Sequence, residues 1–151
     1  MLDIEDFKKK INEKSRLMGI DPGKRRVGIS ICDENRKIAT PHKTLEKKDF
    51  NNFKDEIVQI IKDFNIDGIV IGNPIKMDGS TGSSSQSAKD LAINLSKNIS
   101  LPIILWDKRF SSEGSFKIMR NLPINSSKKR ETLDKNAAAF ILQGFIDFLN
   151  K

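Results

Sequence analysis

The stretch Arg16-Leu-Met-Gly-Ile-Asp21-Pro-Gly-Lys-Arg-Arg-Val-Gly-Ile-Ser-Ile-Cys32 decides the fold of this chain. Two runs rich in β-forming residues flank a turn that contains proline, glycine and three basic residues, and the second run alternates through Val27, Ile29 and Ile31. This pattern predicts a β-hairpin. Asp21 is then expected at the end of the first strand, facing solvent.

An acid at the end of a strand can hold a metal ion. Asp-Pro-Gly is also a common turn sequence for local backbone reasons, so Asp21 alone leaves both interpretations open. Three cations follow the acid directly, Lys24, Arg25 and Arg26. They favour the functional interpretation because an acid beside basic side chains suits a phosphodiester held against a metal ion.

The composition indicates one globular domain with a basic surface. The chain has 151 residues, of which 27 are Lys or Arg and 20 are Asp or Glu, so its formal net charge is +7. A basic surface favours a polyanionic partner, with nucleic acid as the first candidate, although solvated lysines give many small proteins a similar charge. Cys32 is the single cysteine, and no apolar run is long enough for a signal peptide or a membrane span. We therefore expect a cytoplasmic protein without a disulfide.

The remaining apolar pattern predicts a mixed α/β sheet. Helical spacing covers residues 49–64 and about 83–98, and short apolar runs at 67–72 and 101–106 are typical of buried parallel strands. Residues 36–40 are expected to add a third antiparallel strand that stops at Pro41, with His42 in the loop that follows.

The two ends of the chain are expected to be helical. Residues 1–15 are predicted as an N-terminal helical extension, and residues 16–151 as a single domain. A short helix is expected over 111–120, no periodic pattern is found over 121–130, and a last amphipathic helix is expected to open at Asp134.

Four sequence blocks, in order and spacing, resemble the YqgF family: Gly19-Ile-Asp-Pro-Gly-Lys-Arg-Arg-Val-Gly28, Val70-Ile-Gly-Asn-Pro-Ile-Lys-Met-Asp-Gly-Ser80, Trp106-Asp-Lys-Arg-Phe-Ser-Ser112, and Asp134-Lys-Asn-Ala-Ala138 continuing to Gln143. The resemblance implies an RNase H-like fold related to RuvC resolvases, in which hairpin strands precede parallel strands in a five-stranded sheet flanked by helices. It also implies a nuclease dependent on Mg²⁺ or Mn²⁺ that processes the 5′ end of pre-16S rRNA or, alternatively, resolves Holliday junctions.

By this resemblance Asp21 and Asp134 are catalytic residues and metal ligands. The family has a glutamate two residues after the tryptophan, where this chain has Lys108. Three interpretations of Lys108 stay open: it turns into solvent and leaves a one-metal site, it replaces a second ion as a phosphate clamp, or the site no longer cuts. In the last case the protein is a nucleic-acid-binding assembly factor.

Further residues are expected to contact the substrate. The strand-to-helix loop near 72–85 offers backbone N–H groups to anions, but taken alone it fits a plain surface loop slightly better, and it is the family resemblance that implies a substrate-facing loop. The basic clusters suit phosphates, although most charge runs are solvated faces. The candidates are Lys24, Arg25, Arg26, Asn73, Lys76, Ser80, Lys108, Arg109, Lys128, Lys129 and Arg130. The expected partner is precursor rRNA or branched DNA rather than a membrane, and the protein is expected to be a monomer or a homodimer.

A different function for the chain is suggested by Gly19-Ile-Asp-Pro-Gly23, which also resembles the first phosphate loop of sugar kinases and actin-like ATPases. Those proteins enclose their nucleotide between two such domains. A chain of 151 residues has room for one, so this interpretation is disfavoured.

Overall fold

The computed structural model describes residues 3–74, 82–110 and 126–151, with side chains from residue 134 onward in the last segment. Its elements, in chain order, are α1 (Ile4–Lys10), β1 (Arg16–Asp21), β2 (Arg26–Cys32), β3 (Ala39–Glu46), α2 (Phe50–Phe64), β4 (Ile66–Asn73), α3 (Ser83–Ser96), β5 (Ile103–Asp107), a 3-10 turn (Lys108–Phe110) and α4 (Ser126–Leu149).

The strands form one mixed sheet in the order β3-β2-β1-β4-β5. β1, β2 and β3 pair antiparallel, and β1, β4 and β5 pair parallel. The mixed five-stranded sheet expected from the sequence is therefore confirmed, as is the hairpin at its centre.

Helices cover both faces of the sheet. On one face, α2 and α3 bury residues such as Phe53 and Leu91 against the alternating Val27, Ile29 and Ile31 of β2. On the other face, α1 and α4 pack against residues of β1, β4 and β5 that include Leu17, Val70 and Ile104. The parallel strands β1, β4 and β5 are thus buried on both sides, which explains their continuous apolar runs, whereas the edge strand β3 buries only Leu45.

The third strand lies later in the chain than the sequence predicted. β3 begins at Ala39 and runs through Pro41 to Glu46, so His42 lies in a strand and not in a loop. Pro41 pairs with Ser30 and Lys43 pairs with Ile29, which makes His42 the extra residue of a β-bulge. β3 is an edge strand, where a proline is tolerated because its missing N–H is not needed for a second neighbour.

The last helix starts earlier than expected. α4 begins at Ser126, eight residues before Asp134, so the prediction of an aperiodic segment was wrong for residues 126–130. Hydrophobic periodicity reports a packed face, whereas Lys, Arg and Glu sustain a helix without one. The expected helix over 111–120, and residues 121–125, lie outside the described residues.

The N-terminal helix packs onto the domain. Asp3 caps α1 by accepting a hydrogen bond from the Asp6 N–H, and Phe7 has no exposed surface. The Phe7 ring meets Phe145 of α4 edge to face at 5.4 Å. A Cβ on Gly68 of β4 would lie 2.7 Å from the Phe7 ring, so this glycine gives the ring its space.

Candidate active site at the end of the sheet

The three parallel strands end at one edge of the sheet. β1, β4 and β5 have their last residues at Asp21, Asn73 and Asp107, and the antiparallel β2 begins at the same edge with Arg26. The carboxyl ends of parallel strands are where α/β sheets commonly bind their ligands. This edge therefore gathers many of the residues that the sequence analysis singled out.

The pleat divides these residues between the two faces. Side chains alternate along β1, and a Cβ on Gly19 would meet Leu142 and Ala138 of α4, so Asp21, two residues later, also faces α4. Lys108 lies on this face too, since a Cβ on Gly72 would approach both its side chain and Ile141 of α4.

Asn73 faces the other way. Its side-chain oxygen accepts a hydrogen bond of 2.7 Å from the hydroxyl of Ser85, a buried residue of α3. Asn73 therefore links the end of β4 to α3, on the face of the sheet that α3 covers.

A glycine brings the two predicted acids together. Gly28 of β2 is the register partner of Asp21, and a Cβ on Gly28 would lie 1.8 Å from the backbone oxygen of Asp134. Only a glycine lets α4 approach so closely. Because opposed residues in antiparallel strands are about 5 Å apart, Asp134 of α4 lies beside the end of β1 that carries Asp21.

Asp21 is paired with Lys108. Lys108 Nζ lies 2.6 Å from Asp21 Oδ1, and the side chains are 32% and 13% exposed respectively. Among the described residues, however, Asp21 Oδ1 accepts no hydrogen bond with good geometry. The contact is therefore a short ion pair to a carboxylate oxygen that is itself buried.

Asp134 is paired with Arg26. Arg26 Nε lies 3.4 Å from Asp134 Oδ2, and both side chains are about 30% exposed. Each predicted metal ligand therefore forms an ion pair with a basic side chain, Asp21 with Lys108 and Asp134 with Arg26.

Asp107 and Arg109 form a separate pair. The Arg109 guanidinium donates to both carboxylate oxygens of Asp107, with Nε and Nη2 at 2.9 and 2.7 Å from Oδ2. Burial would raise the pKa of Asp107, but the hydrogen bonds from Arg109 outweigh this effect and hold that pKa below its ordinary value. Asp107 therefore cannot replace the missing family glutamate: alternation along β5 turns it away from α4, and its charge is already used.

The other predicted substrate contacts are spread over several segments. Lys24 and Arg25 are exposed in the turn between β1 and β2. Lys76 and Ser80 lie outside the described residues. Lys128, Lys129 and Arg130 belong to the first turns of α4, before Asp134, and only their backbone is described.

The donor set fits one hard cation better than two. Among residues 3–74, 82–110 and the described side chains of α4, no three His, Cys, Asp or Glu residues form a group that could hold a metal ion. Mg²⁺, however, is commonly held by one or two carboxylates together with water and substrate phosphate. Asp21 and Asp134 are the two carboxylates that the fold offers for such an ion, one at the end of β1 and one on the neighbouring part of α4.

Sequence reasoning missed two features. Gly28 interrupts an apolar strand pattern, which is a recognised sign of close backbone approach, but its partner in α4 could not be read from the sequence. Lys47 and Lys48, just after β3, lie beside the basic turn and were not among the candidates.

None of the described helices is long and apolar enough to span a membrane.

Comparison with known proteins identifies the family. A protein from Pelagibacter ubique, named "Putative pre-16S rRNA nuclease", is 56% identical over 150 residues, 99% of each chain, and one of the same name from Methylocella silvestris is 32% identical over the whole chain and 94% of its own length. The solved structure of Thermus thermophilus RuvC in complex with a Holliday junction substrate matches 90% of this chain and 96% of that one, with a TM-score of 0.57 at 12% identity, a likeness of fold alone. The family profile described as "RuvX: Holliday junction resolvase" matches residues 15–148, so the chain belongs to this family of RNase H-like nucleases.

Proposed function

We propose that this protein is a metal-dependent nuclease that hydrolyses phosphodiester bonds of precursor rRNA, at the 5′ end of pre-16S rRNA. The observation that carries the proposal is the close contact between Gly28 and the Asp134 backbone, which brings Asp134 to the strand end that carries Asp21. The names of the curated relatives support the choice of RNA as the substrate.

In this proposal Asp21 and Asp134 hold one Mg²⁺ or Mn²⁺ ion. Such an ion supplies an activated water and stabilises the charge that develops on the phosphate. The buried oxygen Oδ1 of Asp21 supports this assignment: it accepts no aligned hydrogen bond among the described residues, and a hard cation that displaced Lys108 would supply the partner it lacks.

The basic side chains beside the two acids neutralise the phosphate. Lys108 and Arg26 each lie against one of the two acids. When the acids bind a cation, both basic side chains become available to the phosphate oxygens, and Arg26 can contact two of them at once. Lys24 and Arg25, together with Arg109 and the basic turns of α4, extend these contacts along the substrate.

A second candidate function is that of an assembly factor that binds precursor rRNA without cutting it. The 2.6 Å ion pair between Lys108 and Asp21 is the observation that favours it, because an ammonium group competes with a metal ion for the same carboxylate.

A third candidate function is cleavage of branched DNA. The fold shared with RuvC and the description of the family profile support it, and a two-fold junction would require a homodimer.

A cleavage assay separates these functions. Labelled pre-16S rRNA fragments and four-way DNA junctions are incubated with wild type, Asp21→Asn and Asp134→Asn, with and without Mn²⁺. We expect metal-dependent cleavage of the RNA that both variants abolish, while Asp107→Asn, at the same edge but on the other face, keeps most of the activity. Binding without cleavage by wild type would favour the assembly factor, and cleavage of the junction alone would favour the resolvase.

The proposed setting is the cytoplasm, where precursor rRNA is found in bacteria, and the proposed active unit is a monomer or a homodimer. We also propose that residues 1–15 are an extension that supports the domain of residues 16–151, because Phe7 contributes to the core beneath α4.

A further inference from the structure

A basic cleft lies at the β3 side of the candidate site. It is lined by Lys24, Arg25, Arg26, Glu46, Lys47 and Lys48 and encloses about 510 Å³. Two separate segments build it, the turn between β1 and β2 and the end of β3. The chain is thus folded so that two groups of cations face one concave surface.

Backbone contacts fix the two walls of this basic cleft. Arg26 is the register partner of Glu46, and the N–H of Lys47 donates a 2.9 Å hydrogen bond to the carbonyl oxygen of Arg25. The two basic segments are therefore held side by side by the backbone pairing of β2 with β3 and do not depend on long, mobile side chains.

The cations of the cleft are poorly neutralised. Within the described ranges, Lys24, Arg25, Lys47 and Lys48 form no ion pair, and Glu46 is the one acid that lines the cavity. A lysine run on a convex surface is commonly just solvated, but here like charges converge on a concavity. Such an arrangement favours a bound polyanion, whose counterions are released on binding.

The position of the cleft suggests its occupant. One wall of the cleft starts at Lys24, three residues after Asp21, and the other wall is the end of β3. β3 is two strands from β1 and adjacent strands are about 4.8 Å apart, so the far wall lies roughly 10 Å from Asp21 along the same sheet edge. At about 3.4 Å per nucleotide along a stacked strand, this distance corresponds to roughly three nucleotides.

We propose that the basic cleft, and Lys47 and Lys48 in particular, binds the phosphodiester backbone of the RNA strand to one side of the bond at Asp21. This inference rests on the proposed nuclease function, since it takes the strand that passes Asp21 as the occupant. It adds a binding site at the end of β3 and predicts that the substrate runs from Asp21 toward the β3 edge.

The test measures binding without cleavage. A single-stranded pre-16S rRNA fragment is titrated in EDTA with wild type and with the double variant Lys47→Gln/Lys48→Gln, at several salt concentrations. Loss of two phosphate contacts is expected to lower the slope of log K against log salt by about 1.4 and to weaken binding about tenfold at 0.15 M salt. The control is Lys62→Gln/Lys97→Gln, which removes the same charge near the ends of α2 and α3, at the opposite edge of the sheet.

Three results would overturn the inference. The first is an unchanged slope and affinity in the double variant, and the second is an equal loss in the control. The third concerns a parallel titration with polyglutamate: a double variant that binds RNA like wild type but no longer binds polyglutamate would identify an acidic protein as the occupant. If the double variant unfolds at a lower temperature than wild type, the measurement is repeated with Lys48→Gln alone, because Lys48 is exposed. Because EDTA removes the metal, a failure of the proposed nuclease appears in the cleavage assay and not here.

Discussion

Substitution of Lys108 tests how the ion pair at Asp21 controls metal binding. A divalent ion on Asp21 would meet an ammonium group that now lies 2.6 Å from Oδ1. At a separation of about 4 Å, charges of +2 and +1 repel by about 2 kcal/mol in water and by about four times as much at an effective dielectric constant of about 20. Lys108 is 32% exposed and can turn toward solvent, so the smaller figure applies.

We therefore expect Lys108→Gln to bind Mn²⁺ about 30-fold more tightly than wild type, since about 1.4 kcal/mol is a factor of ten. Lys108→Glu replaces the repulsion by an attraction of similar size, so a further gain of about 30-fold is expected, together with faster cleavage. Isothermal titration calorimetry measures both affinities, and Lys62→Gln controls for the change in net charge. Equal Mn²⁺ affinity in wild type and both Lys108 variants would refute the argument from charge.

Three further predictions concern the frame that positions the site. Gly28→Ala places a Cβ 1.8 Å from the Asp134 backbone oxygen, so we expect about 1–3 kcal/mol or more of destabilisation in urea unfolding and weaker Mn²⁺ binding; wild-type values for both would contradict the close packing. Phe7→Ala should cost about 3–5 kcal/mol, whereas Ile38→Ala, at a 66% exposed position, should cost less than about 0.5 kcal/mol; equal unfolding free energies would show that α1 is not part of the core. Burial, with a smaller effect from Lys43, lowers the pKa of His42, the single histidine of the chain, so its contribution to stability is present above pH 6.5 and is lost as the pH falls through the lowered pKa. Between pH 7 and pH 5, the unfolding free energy of wild type should therefore decline more steeply than that of His42→Gln, with a difference in slope of no more than about 1.4 kcal/mol per pH unit. Identical pH profiles of the two proteins would contradict this.

The central part of the fold could be predicted from local patterns in the sequence. The alternation through Val27, Ile29 and Ile31 and the Pro-Gly turn are properties of neighbouring residues, so the hairpin and the strand end at Asp21 were predictable. Alternation along β5 likewise follows from the sequence alone: Asp107, next to the buried Trp106, is turned to the opposite face, where it pairs with Arg109.

Other features depend on neighbours that are distant in sequence. Pro41 is acceptable inside β3 because that strand is at an edge, and a single sequence does not reveal edge position. Similarly, Lys47 joins the basic cleft because its N–H reaches Arg25, a contact fixed by strand register. The ion pair of Lys108 with Asp21 requires the strand order and the pleat together.

The central claim is that Asp21 and Asp134 hold the same divalent ion. Mn²⁺ titration of wild type, Asp21→Asn, Asp134→Asn and the double variant tests it most directly. We expect each single variant to weaken Mn²⁺ binding at least tenfold, and the double variant to lose much less than the sum of the two free-energy changes, because the ligands act as a unit. Wild-type Mn²⁺ affinity in Asp134→Asn, or fully additive losses, would contradict it.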